Sequence, residues 1–422
     1  MIVVHADCVV RGDADEIRDG AVVLDDSGRV LDVGQASEVI PSHAGIALER
    51  VHGVVMPGLV NAHTHLELSA LRGQVPGGAG FLKWVDHLIA VRAEQGPEQD
   101  AAAIDGAVAE LDAFGTAAVG EVTNTLAAVP ALVRLGIAGC VFHEVVGVLF
   151  EQASRRLEEL PEVVRSRLDA WPDGDLAYAP SPHALYTTHS EVIRRVMKAS
   201  AHGGSRVSVH LGEHASERRF LESGDGPILE WMTSRLGLAR TQIEWPGMSP
   251  VEFADSLGLL APHVACVHLT DARPEELARV AASGAHAVFC PRSNLYIEVR
   301  FPPLLAARAA GLLPALGTDS LASNSSLDVL AEASSLRQRF PSVPAHELVR
   351  MATWQGALAL GRGDVGRIAV GSRPGLLAIE GDPGDDACAF ILQSVAARRR
   401  WIVRRSGQRP SLATAHRGVD AA

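Results

Sequence analysis

Residues 54–71 read VVMPGLVNAHTHLELSAL. The run is mostly apolar up to Ala62 and then delivers two histidines, His63 and His65, with Thr64 between them. Side chains on a strand alternate between its faces, so His63 and His65 project together while Thr64 points elsewhere. Two imidazoles on one face at the end of a buried strand can begin a metal site. The chain has 17 histidines, so an HxH pair alone decides little. The other ligands must come from the ends of other strands.

Outward from this run, apolar strand-like segments alternate with Ala-, Leu- and Arg-rich helical ones. The strand candidates are VVMPGLVNAH, GTAAVGEVT, GIAGCVFHEV, DLAYAPSP, RVSVHLGE, VACVHLT, HAVFCPRS and PALGTDS. Helical patterns such as AAAIDGAVAELDAFG, EVIRRVMKASAHGG and ARPEELARVAASG lie between them. Strand followed by helix, repeated eight times, predicts an α/β chain built as a (β/α)8 TIM-type barrel. A doubly wound open sheet is the competing architecture, but no GxGxxG turn opens the first helix. Residues 1–55 read as short strands, with DDSGR as a hairpin turn. Residues 361–408 read the same way, so both termini are expected to form a small β-sandwich flanking a barrel at 56–360, with 409–422 as a tail. Two long connections stand out: residues 66–100, and the stretch between the fifth and sixth strands, with helices expected at 216–239 and 250–258.

Composition narrows the class. The chain is 47% hydrophobic and 21% charged, with a formal net charge of −12. That is a globular composition, and its acidity argues against nucleic-acid or anionic-membrane partners and suits a cytoplasmic protein. The N-terminus lacks the basic and long apolar regions of a signal peptide, and no run of eighteen apolar residues predicts a membrane span. The five cysteines are scattered without a CxxC, which argues against a disulfide framework or a zinc knuckle.

The strand ends carry the chemistry. The first ends in His63 and His65, the fifth in His210 with Glu213 beyond it, the sixth in His268 and the eighth in Asp319. In a barrel all of these reach one rim. Imidazoles and a carboxylate suit one zinc or iron(II) ion with an open position for water. Asp319 can bind metal and hold the water, Glu213 can carry a proton to a substrate nitrogen, and His268 can orient the water or stabilise developing charge.

With HTH, HLGE, His268 and GTDSLASNSSLD in place, the chain resembles the amidohydrolase superfamily. PGLVNAHTHLE, APSPHALYTT, CPRSN and GTDSLASN are similar to its branch of amino-purine and triazine hydrolases. HTHLELSALRGQVPGGAGFLKWV is similar to the aminodeoxyfutalosine deaminases of menaquinone synthesis. The resemblance implies His63, His65, His210 and Asp319 as metal ligands, Glu213 as proton shuttle, His268 as water-orienting residue and His183 as a purine contact. It implies one divalent ion per chain, zinc or alternatively iron, and a homodimer acting on an amino-purine nucleoside. Deaminases of S-adenosylhomocysteine, methylthioadenosine or guanine, and triazine chlorohydrolases, would use the same residues; a silent scaffold would show lost ligands, and none is lost. Binuclear members of the superfamily use a fourth-strand lysine, but Lys83 and Lys198 are the only lysines, so a mononuclear site is expected. The chain departs from the family at Gly375-Leu376, where Ala-Asp is usual.

The substrate pocket is less defined. Arg72 and Arg292 lie near strand ends and are candidates to clamp a substrate carboxylate. Phe81 and Trp84, three apart after a Gly-rich loop, are either core or a lid that stacks on an aromatic substrate. His143-Glu144 ends the third strand and either residue can face the pocket, while His202, His214, His263 and His286 are expected to be structural or exposed.

Overall fold

Pro57 and Gly58 divide the opening run between two sheets. The computed structural model describes residues 1–172, 174–395 and 399–409. Strands β1 (Ile2–Val9), β2 (Ile17–Leu24) and β3 (Val30–Gln35) come first. The run then begins as the end of β4 (Leu48–Pro57) and resumes as β5 (Leu59–Thr64). A single strand from Val54 to His63 was the expectation, and this is a correction. The physical reason is crowding at the crossing: a Cβ on Gly58 would lie 2.5 Å from Ala117 Cβ and 2.8 Å from the Pro374 carbonyl oxygen. Only glycine lets the chain pass there.

The next seven strands are β6 (Thr116–Thr123), β7 (Ala138–Val145), β8 (Leu176–Pro182), β9 (Val207–Leu211), β10 (Val264–His268), β11 (His286–Phe289) and β12 (Ala315–Leu316). Each corresponds to one of the eight expected runs. They form two four-stranded sheets, β5-β6-β7-β8 and β9-β10-β11-β12, with every pairing parallel. The two sheets meet at both edges. At one seam a parallel bridge joins Ala184 to His210, and the His210 N–H donates to the His183 carbonyl at 2.9 Å. At the other a bridge joins Thr64 to Asp319, and the N–H groups of Thr318 and Asp319 both donate to the His63 carbonyl, at 3.0 and 3.1 Å. This arrangement is consistent with the expected barrel. Its interior is filled by modest side chains, among them Ala62, Ala265, Val267, Val288 and Ala315, all buried.

The chain ends contribute β13 (Leu376–Glu380) and β14 (Arg400–Val403). These join the first four strands in one six-stranded sheet, ordered β14-β13-β4-β1-β2-β3. Both termini build the flanking unit as expected, but the hydrogen-bonded unit is a single mixed sheet. The DDSGR turn sits between the antiparallel β2 and β3; Asp25 accepts from the Ser27 and Arg29 N–H groups, and Gly28 takes φ +78. Gly375, where the family pattern is broken, has φ +65, and a Cβ there would meet the Trp401 ring at 2.7 Å. Of the expected tail only Arg409 is among the described residues, as residues 410–422 lie outside them.

The two long connections carry helices. The first holds a 3-10 turn, Leu66–Leu71, and helix Phe81–Arg92. The second holds Ala215–Ser223 and Pro227–Ser234, split by Gly224 and Gly226 at positive φ where one helical region was expected, and then Pro250–Ser256. The insertions touch: the Trp231 indole and the Arg235 guanidinium both donate to Asp86, at 3.2 and 3.1 Å. All five cysteines are free and buried. Among the described residues, no helix is long and apolar enough to cross a membrane.

Gly317 packs directly under His63, where a Cβ would fall 2.7 Å from His63 Cβ and 2.8 Å from its carbonyl oxygen. Gly317→Ala is expected to cost about 1–3 kcal/mol by overpacking. Calorimetry and metal analysis should therefore show a lower melting temperature and less bound metal together.

Candidate active site

Four donor atoms from the ends of three strands, β5, β9 and β12, converge. His63 Nε2 lies 3.2 Å from His65 Nε2, and His65 Nε2 lies 3.3 Å from His210 Nε2. Asp319 Oδ1 lies 3.6 Å from His63 Nε2 and 3.5 Å from His65 Nε2. Zinc bonds of 2.0–2.1 Å in a tetrahedron place the ligand atoms about 3.3–3.4 Å apart. The observed separations match that edge, so the donor set fits one small divalent cation at its centre.

Neighbours fix which lone pairs face inward. His210 Nδ1 donates to the His183 carbonyl at 2.9 Å, which leaves Nε2 free to ligate. Asp319 Oδ2 accepts from the hydroxyls of Ser293 at 2.5 Å and Ser323 at 2.9 Å, which leaves Oδ1 turned toward the imidazoles. The Leu66 N–H, next to His65, donates to both oxygens of the buried Glu121 at 3.2 Å. Thr64 points away from its flanking histidines and gives its hydroxyl to the Asp319 carbonyl at 3.1 Å. His268 and Asp319 take φ +75 and +56, left-handed conformations that swing them out of strand geometry. Such conformations cost about 1–3 kcal/mol in side-chain-bearing residues and concentrate at functional sites.

Burial favours the neutral, ligand-competent form of His65 and His210. It pushes His65 down to about 3, with the nearby His63 adding to the effect, and lowers His210 well below the usual range. Burial works to raise the Asp319 carboxyl, but His63, His65 and His268 around it bring it well below the usual range.

Glu213 and His268 sit beside this cluster, with Glu213 Oε1 3.6 Å from His268 Nε2. The Asn294 amide donates to His268 Nδ1 at 3.1 Å, which leaves the ring proton on Nε2, facing the site. Burial drives His268 down to about 4, against the pull of Asp319. Burial also holds the Glu213 carboxyl well above its ordinary value, helped by the charges of Asp319, Glu217 and Glu298. A carboxyl so raised holds its proton more tightly than an exposed one does.

A cavity of about 270 Å³ opens over these groups. His65, His210, Glu213, His268 and Asp319 line its floor, and helix Phe81–Arg92 lines its side through Phe81, Leu82, Trp84, Val85, Leu88 and Arg92. Phe81 stacks on His214 at 4.1 Å between ring centres, and Trp84 packs among Leu68, Leu71, Val75 and Ile297. Both aromatics thus line the cavity while packing against protein neighbours. His183 also lines the cavity, with Nδ1 held by Thr187 Oγ1 at 2.6 Å.

The two arginines expected in the pocket are not among its lining residues, which is a correction. Arg72 is drawn outward to Glu110 and to the Ser325 carbonyl. Arg292 binds the hydroxyls of Ser325 and Ser326 at 2.6 and 3.0 Å and lines a separate surface depression. The arginine on the cavity wall is Arg92, 3.5 Å from Glu67. Both residues were missed in the sequence, although Glu67 stands only two positions after His65. Glu67 accepts from Thr125 N and Oγ1 at 2.7 and 2.6 Å and from Asn124 N at 3.1 Å, so it anchors the loop after β6. At the end of β7, His143 turns to the Tyr178 hydroxyl at 2.9 Å while Glu144 faces the cavity. His214 is structural, capping helix Ala215–Ser223. The lysines lie in helices Phe81–Arg92 and Ser190–Gly203, away from the end of β8, where His183 stands.

Residues 54–401 match the Amidohydrolase family. A relative from Deinococcus radiodurans, named aminodeoxyfutalosine deaminase, is 30% identical over 351 residues, which are 81% of each chain. Further relatives carry the name 5-methylthioadenosine/S-adenosylhomocysteine deaminase. Among solved structures, Helicobacter pylori aminofutalosine deaminase in complex with methylthio-coformycin is similar in fold, with a TM-score of 0.84 at 21% identity, covering 97% of this chain and 100% of that one. An adenosine deaminase from Xanthomonas campestris with bound zinc gives a TM-score of 0.74 at 26% identity, covering 96% and 90%.

Partners of metal ligands typically set affinity by 10–100-fold. Replacing both Ser293 and Ser323 with alanine is expected to weaken metal binding by about that factor. Competition with a chromogenic chelator would measure it, and an unchanged affinity would show that the hydroxyl clamp on Asp319 is dispensable.

Proposed function

The chain belongs to the amidohydrolase family, and from that membership we propose that it is a metal-dependent aminohydrolase converting an adenosine-like nucleoside to its 6-oxo product with release of ammonia. The specific substrate we propose is 6-amino-6-deoxyfutalosine. The name of the Deinococcus radiodurans relative supports this choice, as does the aromatic lid helix after HTH. The observation that carries the reading is the juxtaposition of Glu213 and His268, both buried, beside the His63, His65, His210 and Asp319 donors. A plain metal-binding barrel has no need for a buried carboxyl poised next to an imidazole N–H.

In this reading His63, His65, His210 and Asp319 would hold one divalent ion, for which the zinc in the Xanthomonas campestris structure supports zinc. When bound, the ion supplies Lewis acidity that makes water nucleophilic at neutral pH. The protein's own groups do the proton work. Glu213 takes a proton from the attacking water and delivers it to the ring nitrogen beside the amino-bearing carbon. Without that protonation, attack would leave unstabilised negative charge on nitrogen. His268 Nε2–H donates to the incoming oxygen and fixes its line of approach. Asp319, anchored through Oδ2, accepts from the same oxygen and helps pass the second proton to the departing amine. Phe81 and Trp84 give the ring an apolar wall and limit access of bulk water.

Glu213→Gln is expected to keep its metal yet lose about 10²–10⁴-fold in kcat. Ammonia release from aminodeoxyfutalosine, methylthioadenosine, S-adenosylhomocysteine, guanine and a triazine would be followed alongside metal content. Substantial residual turnover in the loaded variant would refute the shuttle role. Preference for methylthioadenosine would move the substrate assignment to the second group of named relatives. Chelation should abolish turnover, and zinc or iron(II) should restore it.

A further inference from the structure

Glu217 is a buried carboxyl that the chemistry above leaves unused. It is 1% exposed and stands in the first turn of helix Ala215–Ser223, four residues after Glu213. Its Oε2 accepts from the Glu213 N–H at 3.0 Å, and its Oε1 has no hydrogen-bond partner among the described residues. Burial pushes it up to about 7, against the pull of the Glu213 and Gly212 N–H groups. The adjacent Arg218 guanidinium is committed elsewhere, donating to Asp271 at 2.6 Å and to Glu276 at 2.7 Å. A buried carboxyl with one oxygen unmet costs the fold free energy. Its single side-chain bond is to the residue that carries the proton.

Helix capping does not account for this group. The N-cap is His214, whose Nδ1 accepts from the Glu217 N–H at 3.2 Å. In a capping box, an acid at this third position reaches back to the N–H of the cap itself. Here it reaches one residue further, to Glu213. Other groups hold the rest of the turn. Gly212 takes φ +58 and its carbonyl accepts from the Asp271 N–H at 2.8 Å, while His214 Nε2 meets the Tyr186 hydroxyl at 3.3 Å. Glu217 grips the Glu213 amide, the point from which that side chain leaves toward His268, 3.6 Å from its carboxyl.

We propose that Glu217 is a positioning residue for the reaction, fixing through the Glu213 N–H where the Glu213 carboxyl stands relative to His268 and the substrate ring. Proton transfer demands that the carboxyl sit within hydrogen-bond reach of both the attacking water and the ring nitrogen. Glu213 follows a left-handed glycine and precedes the helix, so without a partner its peptide could rotate and carry the side chain off that line. The inference rests on the deaminase reading, in which Glu213 carries the proton, and names the group that holds the carrier in place.

The test is a double-mutant cycle on the metal-loaded enzyme, following ammonia release from aminodeoxyfutalosine and methylthioadenosine with metal content measured in parallel. Glu217→Met, which fills the same space without an acceptor, should lose about 10–100-fold in kcat, the range of a small misplacement of a reacting group. Its KM and metal content should stay at wild-type values. Glu217→Gln keeps an acceptor oxygen and removes the charge, so it should recover most of that loss. Glu217→Met added to Glu213→Gln should cost nothing further, because a residue that acts only through Glu213 has nothing left to position. Wild-type kcat in Glu217→Met, a Gln variant as impaired as the Met one, metal loss in step with activity, or additive losses in the double variant would each overturn the positioning role alone. A wild type that releases ammonia from neither substrate nor from the other members of the panel would overturn the deaminase reading, and the positioning role with it.

Discussion

Two hydrogen bonds to one carbonyl hold the centre of this molecule together. The His63 carbonyl accepts from Thr318 and Asp319, and the buried Asn61 amide reinforces the seam by binding both the hydroxyl and the N–H of Thr318, at 2.7 and 3.1 Å. These contacts join the last strand of one sheet to the first strand of the other. They also set how far Asp319 stands from His63 and His65. The joint that brings the sheets together and the joint that spaces the candidate metal donors are the same few atoms. Gly317 is part of this constraint, since a larger residue would push the seam apart.

Electrostatics gives that geometry its use. Imidazole nitrogens 3.2 and 3.3 Å apart, with a carboxylate beside them, are poorly satisfied by one another. They are well satisfied by a cation among them. Burial keeps the His65 and His210 rings neutral, and the second contacts of His210 and Asp319 decide which atom faces the centre. The same burial raises the Glu213 carboxyl, so one desolvated pocket shifts both the imidazoles and the acid beside them. The helix Phe81–Arg92 closes the side of that pocket, tied through Asp86 to the insertion that follows β9.

The convergence of these side chains was legible because they lie at strand ends. His63, His65, His210, His268 and Asp319 each follow an apolar run, and a parallel sheet must deliver such residues to one edge. The pocket wall was less legible. Arg72 and Arg292 sit near strand ends in sequence, yet their guanidinium groups are captured by Glu110 and by serine oxygens outside the cavity. Arg92 and Glu67 line the cavity without any periodic signal, because a helix and a 3-10 turn in an insertion bring them there. Long flexible side chains choose partners by local charge, which spacing does not encode.

By itself, the sequence determined the α/β alternation, the histidine and acid set, and the absence of a lysine at the end of β8. Those follow from strand periodicity and residue chemistry, which act over a few neighbours. Tertiary structure decided where the HTH run changes sheets, how the two sheets meet, and which faces of Glu144, His143 and the arginines look inward. It also decided that Thr64, the residue between the two histidines, binds the far strand at Asp319. These outcomes depend on contacts between residues as much as 250 or more positions apart, such as Asn61 with Thr318. No local pattern specifies such contacts, because they exist only once the sheets have met.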